Sequence, residues 1–101
     1  MNRLRIARSA VADLDEIWLF IARGRSVEAA ERVVDSLTSK FSLLGALPGI
    51  GLRRPELGPD IRSFAVRNYR IYYRQEKRSI VRILYVRHAR RDKAILEFPT
   101  R

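Results

Sequence analysis

The sequence predicts an α+β fold, in which a hairpin of two helices packs on one face of a small antiparallel sheet. Apolar residues recur at steps of three and four in the first half of the chain, which is the period of an amphipathic helix. From Ile61 onward they recur at every second position, which is the period of a strand. Helices and strands that are segregated along a chain in this way are typical of α+β folds.

The first half of the chain holds one strand and both helices. Residues 3–6 alternate between arginine and an aliphatic residue, which predicts a short N-terminal strand. Ser9 is the candidate N-cap of a first helix that ends at Gly24, and Ser26 is the candidate N-cap of a second helix that ends at Gly45. So few residues separate the two helices that we expect an antiparallel hairpin.

The second half holds the rest of the sheet. Glycine and proline interrupt the periodicity between residues 45 and 59. This predicts a connection inside one domain of residues 1–101, because neither half alone is large enough to bury a core. Three strands follow, separated by turns at residues 67–68 and 76–79, and a short C-terminal helix is predicted at residues 90–98.

Alternation along these strands assigns side chains to two faces. Tyr69 and Tyr73 fall on the side of Ile71 and are expected in the core. On the last strand, the odd-numbered residues from 81 to 85 are expected to share one face. The opposite face of the sheet is expected to be open to solvent or to a partner, and its candidate side chains are Arg70, Tyr72, Arg74 and Arg82.

The charge of the chain is uneven. The net charge is +10; residues 1–49 carry seven Lys or Arg and six Asp or Glu, whereas residues 50–101 carry fourteen and five. Such asymmetry attracts a polyanion or an acidic protein. The absence of cysteine excludes disulfides, a thiolate nucleophile and a thiolate metal site. No apolar run approaches the length of a membrane span, and we expect a cytoplasmic protein.

The inventory of reactive side chains is small. His88 is the only histidine, and we predict neither a metal nor a cofactor. Gly49-Ile50-Gly51 lacks the strand–glycine–helix setting of a phosphate-binding loop, so it is predicted to be a turn. Asp13 and Glu16 stand at helical spacing and are expected on a solvated helix face. Metal-free cleavage of RNA stays open, since a histidine can act as acid or base and arginines can stabilise a phosphate. Binding of nucleic acid or of an acidic protein, with His88 only ending a strand, also stays open, and it is the interpretation that we favour for His88.

Four segments resemble toxins of the RelE/ParE superfamily, and together they cover nearly the whole chain in order. They are RSAVADLDEI at residues 8–17, LPGIG at 47–51, SFAVRNYRIYYR at 63–74 and ILYVRHARRD at 83–92. The resemblance implies a helical hairpin on a small antiparallel sheet. It also implies a toxin of a type II toxin–antitoxin module, held inactive by a cognate ParD-like antitoxin that is encoded beside it. Operator DNA would be contacted only through that antitoxin, and no membrane is involved.

The resemblance implies two alternative activities. RelE-like members cleave messenger RNA on the ribosome, commonly with a tyrosine or histidine near the C-terminus, whereas ParE-like members inhibit DNA gyrase and block replication. No tyrosine follows Tyr85 here, and the His-Ala-Arg-Arg-Asp ending is of the ParE type. We therefore favour inhibition of gyrase by protein–protein contact, without catalysis. The alternative is a ribosome-dependent endoribonuclease that uses His88, Arg62, Arg82 and Arg87.

The resemblance also directs attention to two sets of binding residues. Cationic and aromatic side chains are expected to contact the target or the antitoxin: Arg62, Arg70, Tyr72, Arg74, Arg82, Arg87, Arg90 and Arg91. The antitoxin is further expected to lie in an apolar groove beside the helices, formed by Trp18, Ile21 and Phe41.

Overall fold

A computed structural model describes residues 3–77 and 79–90. The elements in chain order are β1 (Arg3–Ile6), α1 (Arg8–Gly24), α2 (Val27–Ala46), a 3₁₀ turn (Pro48–Ile50), β2 (Leu52–Arg53), β3 (Ile61–Val66), β4 (Tyr69–Lys77) and β5 (Ile80–His88). The strands form one five-stranded sheet in the order β1-β5-β4-β3-β2. The α+β class is confirmed. The sheet is mixed, because β1 pairs in parallel with β5 while the other three pairings are antiparallel.

The helical hairpin forms as predicted, with one correction at its start. Ser26 caps α2, since its hydroxyl accepts a hydrogen bond of 3.0 Å from the backbone N–H of Ala29. Ser9 is not the N-cap of α1: the helix begins one residue earlier, at Arg8, and the Ser9 hydroxyl donates to the carbonyl of Leu84 instead. Neither α1 nor α2 combines the length and hydropathy that crossing a bilayer requires.

The strands differ from the prediction in two places. β2 was not predicted, and two residues are too few to give a periodic signal. β4 continues to Lys77, so the turn predicted from residue 76 is shorter. The helix predicted at residues 90–98 lies, apart from Arg90, outside the described residues, and so does Arg91.

The core lies between the hairpin and one face of the sheet. A β-bulge at Leu84 decides which residues of β5 reach it, because Tyr73 pairs with Ile83 while Tyr72 pairs with Tyr85. The odd-numbered face predicted for β5 is therefore wrong beyond the bulge. The buried core side chains are Ala10, Leu37, Phe41, Leu44, Val66, Ile71, Tyr73, Val81, Ile83 and Val86.

Helix α1 takes the place of a strand along the outer half of β5. β1 pairs only with the first four residues of β5, from Ile80 to Ile83. Beyond them, side chains of α1 satisfy the strand edge: Ser9 donates to the carbonyl of Leu84, and the carboxylate of Asp13 accepts from the N–H of Val86 at 2.9 Å. This edge-on packing fixes α1 against the end of β5, where the candidate site lies.

Candidate functional site

The sheet face turned away from the helices carries cross-strand pairs of arginine and tyrosine. Side chains of directly opposed residues share one face of a sheet. The prediction that Arg70, Arg74 and Arg82 share one face is therefore confirmed by the register. The opposed pairs are Arg70 with Arg87, Tyr72 with Tyr85, Arg74 with Arg82, and Arg82 with Arg5.

Two members of this face are buried, which contradicts the expectation that they are open to a partner. Tyr72 is 3% exposed and Arg74 is 2% exposed. Part of the reason is Arg54, in the connection after β2, whose guanidinium lies 5.8 Å from the centre of the Tyr72 ring. Alternation assigns a side chain to a face, but it carries no information about a loop that folds over that face. Arg70 and Arg82 keep partial exposure.

Two of the predicted binding arginines hold internal carboxylates. The Nε of Arg82 donates to Glu76 at 2.9 Å, and the Nε of Arg87 lies 3.2 Å from the carboxylate of Asp13. The guanidinium of Arg87 also lies 5.1 Å from the centre of the Tyr85 ring. Part of the charge of each arginine is thus already balanced within the fold.

Arg62 has a structural position on the opposite side of the sheet. Its Nη1 donates to the carbonyl of Gly51 at 2.9 Å and to that of Gly49 at 3.3 Å. Arg62 pairs with Tyr73 of β4, whereas His88 pairs with Tyr69 of the same strand. Tyr69 and Tyr73 are four residue steps apart, which corresponds to roughly 14 Å along the strands. The set His88, Arg62, Arg82 and Arg87 is therefore spread over both ends and both faces of the sheet.

A pocket of about 350 Å³ opens between α1 and the paired ends of β4 and β5. The rings of Tyr69 and His88 meet edge to face in it, with centroids 5.2 Å apart and planes at 82°. Nδ1 of His88 accepts a hydrogen bond of 3.2 Å from the backbone N–H of Arg90, so Nε2 carries the proton of the neutral ring. The lining mixes apolar and ionisable side chains: Asp13, Glu16, Ile17, Phe20, Tyr69, Val86, Arg87 and His88.

Asp13 is the residue of this pocket that sequence reasoning missed. It is 8% exposed rather than solvated. Burial raises the pKa of its carboxyl group, an effect that the Val86 N–H and the nearby Arg87 guanidinium partly offset. The available signal was its position, because Asp13 stands three residues after Ala10 and four before Ile17, on the apolar face of the helix. Its neighbour Glu16 is exposed, as expected.

The apolar groove expected from Trp18, Ile21 and Phe41 is largely filled. Phe41 is 2% exposed in the main core, and Ile21 is 9% exposed in a second cluster between the helices. The hairpin itself uses these two side chains for packing, so they offer little surface to a partner. Trp18 is half-buried against the second cluster.

Among residues 3–77 and 79–90, no three acidic or histidine side chains come together as metal ligands. The pocket combines ion-pairing, hydrogen-bonding and apolar side chains. A combination of this kind suits recognition of another polypeptide.

Comparisons with known proteins agree on one family. The model of the family described as ParE toxin of type II toxin-antitoxin system, parDE, matches residues 4–93. Toxin ParE3 of Caulobacter vibrioides is 29% identical over 81 residues, which cover 80% of this chain and 81% of that protein. Toxin ParE1 of the same organism is 30% identical over 86 residues, which cover 84% of this chain and 90% of that protein.

Solved structures share the fold. A chain of the chromosomal ParDE TA system from P. aeruginosa matches with a TM-score of 0.76 at 24% identity, over 87% of this chain and 96% of that one. A chain of the toxin–antitoxin complex RelBE2 from Mycobacterium tuberculosis matches with a TM-score of 0.62 at 24% identity, over 86% and 96%. The first structure superposes more closely than the second.

Proposed function

The chain belongs to the ParE family of type II toxin–antitoxin toxins, and on that premise we propose that it arrests growth by binding DNA gyrase until a cognate antitoxin covers it. Gyrase is the target implied by the family resemblance of the sequence. The mechanism is contact between proteins: the toxin occupies a surface that gyrase needs in order to work, and no bond is made or broken by the toxin.

The dispersal of the groups that RNA cleavage would need is the observation that carries this proposal. Metal-free cleavage requires an acid or base and several cations within hydrogen-bond reach of a single phosphate. His88 and Arg62 lie roughly 14 Å apart along the strands. Arg82 and Arg87 each hold a carboxylate of the fold. This arrangement favours a binding protein over a nuclease.

The pocket between α1 and the ends of β4 and β5 is the site proposed for the ParD-like antitoxin. The two solved relatives come from toxin–antitoxin systems. Leu19 and Phe20 are 45% and 58% exposed on α1, and Phe20 lines the pocket together with Arg87 and His88. A disordered antitoxin segment that folds into this concave surface would bury apolar area.

Pulsed expression of the toxin without antitoxin tests the proposal when DNA synthesis and protein synthesis are followed separately. We expect DNA synthesis to stop first, and purified toxin to inhibit supercoiling by purified gyrase. The antitoxin should restore DNA synthesis when it is co-expressed, and it should restore supercoiling when it is added to the gyrase assay. Early arrest of protein synthesis, with messages cut inside codons, would identify a ribonuclease and contradict the proposal.

A further inference from the structure

Three large apolar side chains project from one short segment between α2 and β3. Leu47 is 54% exposed, Ile50 is 44% exposed and Leu52 is 69% exposed. We call these three residues the apolar knob. Single exposed aliphatic residues are ordinary on protein surfaces. Three of them within six residues form a concentrated patch, and such patches mark interaction sites.

Hydrogen bonds from residues of the sheet hold the segment that carries the apolar knob in place. The hydroxyl of Tyr73, whose side chain is fully buried, donates to the carbonyl of Pro48 at 2.7 Å and accepts from the N–H of Gly51 at 2.9 Å. Arg62 donates to the carbonyls of Gly49 and Gly51 from the neighbouring strand. These bonds all involve main-chain atoms of the segment, so they do not depend on which side chains stand at the knob positions. Preorganised apolar side chains lose little conformational entropy on binding.

The apolar knob lies apart from the pocket beside His88. Leu47, Ile50 and Leu52 line neither of the two pockets described at the surface of residues 3–77 and 79–90. They stand on a tight turn and on the two-residue edge strand that follows it. The pocket beside His88 offers a concave surface into which a disordered segment can fold, whereas an exposed turn that is held in place can insert into a cavity of a folded partner. The knob therefore suits the target better than it suits the antitoxin.

The charge beside the knob indicates the chemistry of that partner. Arg53 and Arg62 are directly opposed across β2 and β3. Like charges in this position destabilise a sheet. The ion pairs formed among the described residues include neither of them. An acidic surface on a partner would offset the repulsion between Arg53 and Arg62, and this would favour binding.

We propose that the apolar knob inserts into an apolar pocket rimmed by carboxylates on the folded target of this toxin. The inference rests on the proposed function, in that the occupant is the protein whose inhibition stops growth. It goes beyond that function by placing the contact on Leu47, Ile50 and Leu52, away from the pocket proposed for the antitoxin.

A triple variant of the toxin tests the knob. Leu47→Ser, Ile50→Ser and Leu52→Ser together should raise at least tenfold both the expression needed for growth arrest and the concentration that half-inhibits purified gyrase. Val27→Ser is the matched control, since Val27 is 49% exposed at the start of α2, and it should behave as wild type. Circular dichroism and thermal unfolding check that both variants fold.

The charge of the partner is tested at a single position. Leu52→Glu places a carboxylate against the proposed acidic rim, and Leu52→Lys places a cation there. The glutamate variant should lose at least tenfold more activity than the lysine variant. Equal losses would show that the partner is not acidic and overturn that part of the inference.

The remaining outcomes separate the knob from the choice of target. A triple variant that inhibits gyrase like wild type overturns the knob and leaves the proposed function standing. If wild type arrests growth without inhibiting gyrase and the triple variant does not arrest growth, the knob is supported and gyrase is the wrong target. If the triple variant arrests growth but the antitoxin no longer rescues it, the knob is an antitoxin contact and the inference is wrong. If the wild-type toxin does not arrest growth, both the proposed function and the inference about the knob are wrong.

Discussion

His88 is the only histidine of the chain, and the fold uses it for local structure. Its ring packs edge to face with Tyr69, its Nδ1 accepts the N–H of Arg90, and the next residue, Ala89, donates its own N–H to Asn68 at 2.7 Å. These contacts fix the end of β5 beside the turn that joins β3 to β4. This position is that of a histidine at the end of a strand, and Arg87, the arginine that lines the same pocket, is already paired with Asp13.

His88→Ala should leave growth arrest intact and lower stability. Loss of the aromatic contact is expected to reduce the free energy of unfolding by about 0.5–1.5 kcal/mol beyond the lost burial. Urea denaturation measures that loss, and pulsed expression measures toxicity. His88→Phe, which keeps a ring against Tyr69, should recover most of the stability. Loss of toxicity in both variants while the protein stays folded would assign His88 a chemical role.

Asp13 should make the stability of the toxin depend on pH. Its pKa is raised in the folded state, chiefly by burial, with Glu16 adding to the rise and Val86 and Arg87 opposing it. A raised pKa means that the folded state binds the proton more tightly than the unfolded chain does. The stabilisation is complete below the ordinary pKa of an aspartate, about 3.9, and is lost as the pH rises through the raised value.

Asp13→Asn provides the comparison, since the asparagine does not titrate and its carbonyl can still accept from the N–H of Val86. The free energy of unfolding of wild type minus that of Asp13→Asn should decrease as the pH rises from 4 towards neutrality. Urea denaturation of both proteins across this range gives the difference. An increase with pH would mean that the Arg87 ion pair outweighs burial and that the assigned direction of the shift is wrong.

At the scale of elements, the sequence predicted the features that depend on neighbouring residues. It did not predict those that depend on residues far away in the chain. The cap at Ser26 depends only on residues within one turn of helix, and it was predicted correctly. Ser9 has the same local pattern, but a carbonyl 75 residues away uses its hydroxyl. The burial of Asp13 by the edge of β5 and the bulge at Leu84 are likewise set by distant pairing, which local periodicity does not encode. The candidate site was accordingly less predictable than the fold that carries it.

The turn between α2 and β2 needs a glycine at residue 51 because of Tyr73, which is distant from it in the sequence. A Cβ added to Gly51 would overlap the Tyr73 hydroxyl, whereas a Cβ added to Gly49 would meet nothing within 4 Å. Glycine is therefore required at residue 51 for space rather than for backbone conformation, because its φ of −74° is accessible to any residue.

Gly51→Ala should destabilise the toxin by about 1–3 kcal/mol, as overpacking of a fixed contact does. Gly49→Ala is the matched control and should be neutral or stabilising by less than about 1 kcal/mol. Thermal unfolding distinguishes the two. Equal stabilities would mean that the Tyr73 ring moves aside at no cost, and that the turn is not rigidly held.

At the scale of the whole molecule, the chain separates a concave pocket from an exposed apolar segment. The pocket beside α1 lies where β4 meets the end of β5, and the apolar knob lies at the opposite edge of the sheet, on β2 and the turn before it. We assign the antitoxin to the pocket and the target to the knob. Neutralisation then requires the antitoxin to block target binding indirectly or to extend across the sheet.

The net charge of +10 should act mainly on the rate of encounter with an acidic partner, since long-range attraction steers diffusion more than it holds a formed complex. The association rate of the toxin with purified gyrase, measured by surface plasmon resonance, should fall at least tenfold between 50 and 500 mM NaCl, because the Debye length shortens from about 14 Å to about 4 Å over this range. The dissociation rate should change much less, as apolar contacts at Leu47, Ile50 and Leu52 are not screened by salt. Sucrose at matched viscosity serves as the control for slower diffusion. An association rate that is independent of salt would mean that the charge of this chain serves solubility and has no part in finding its target.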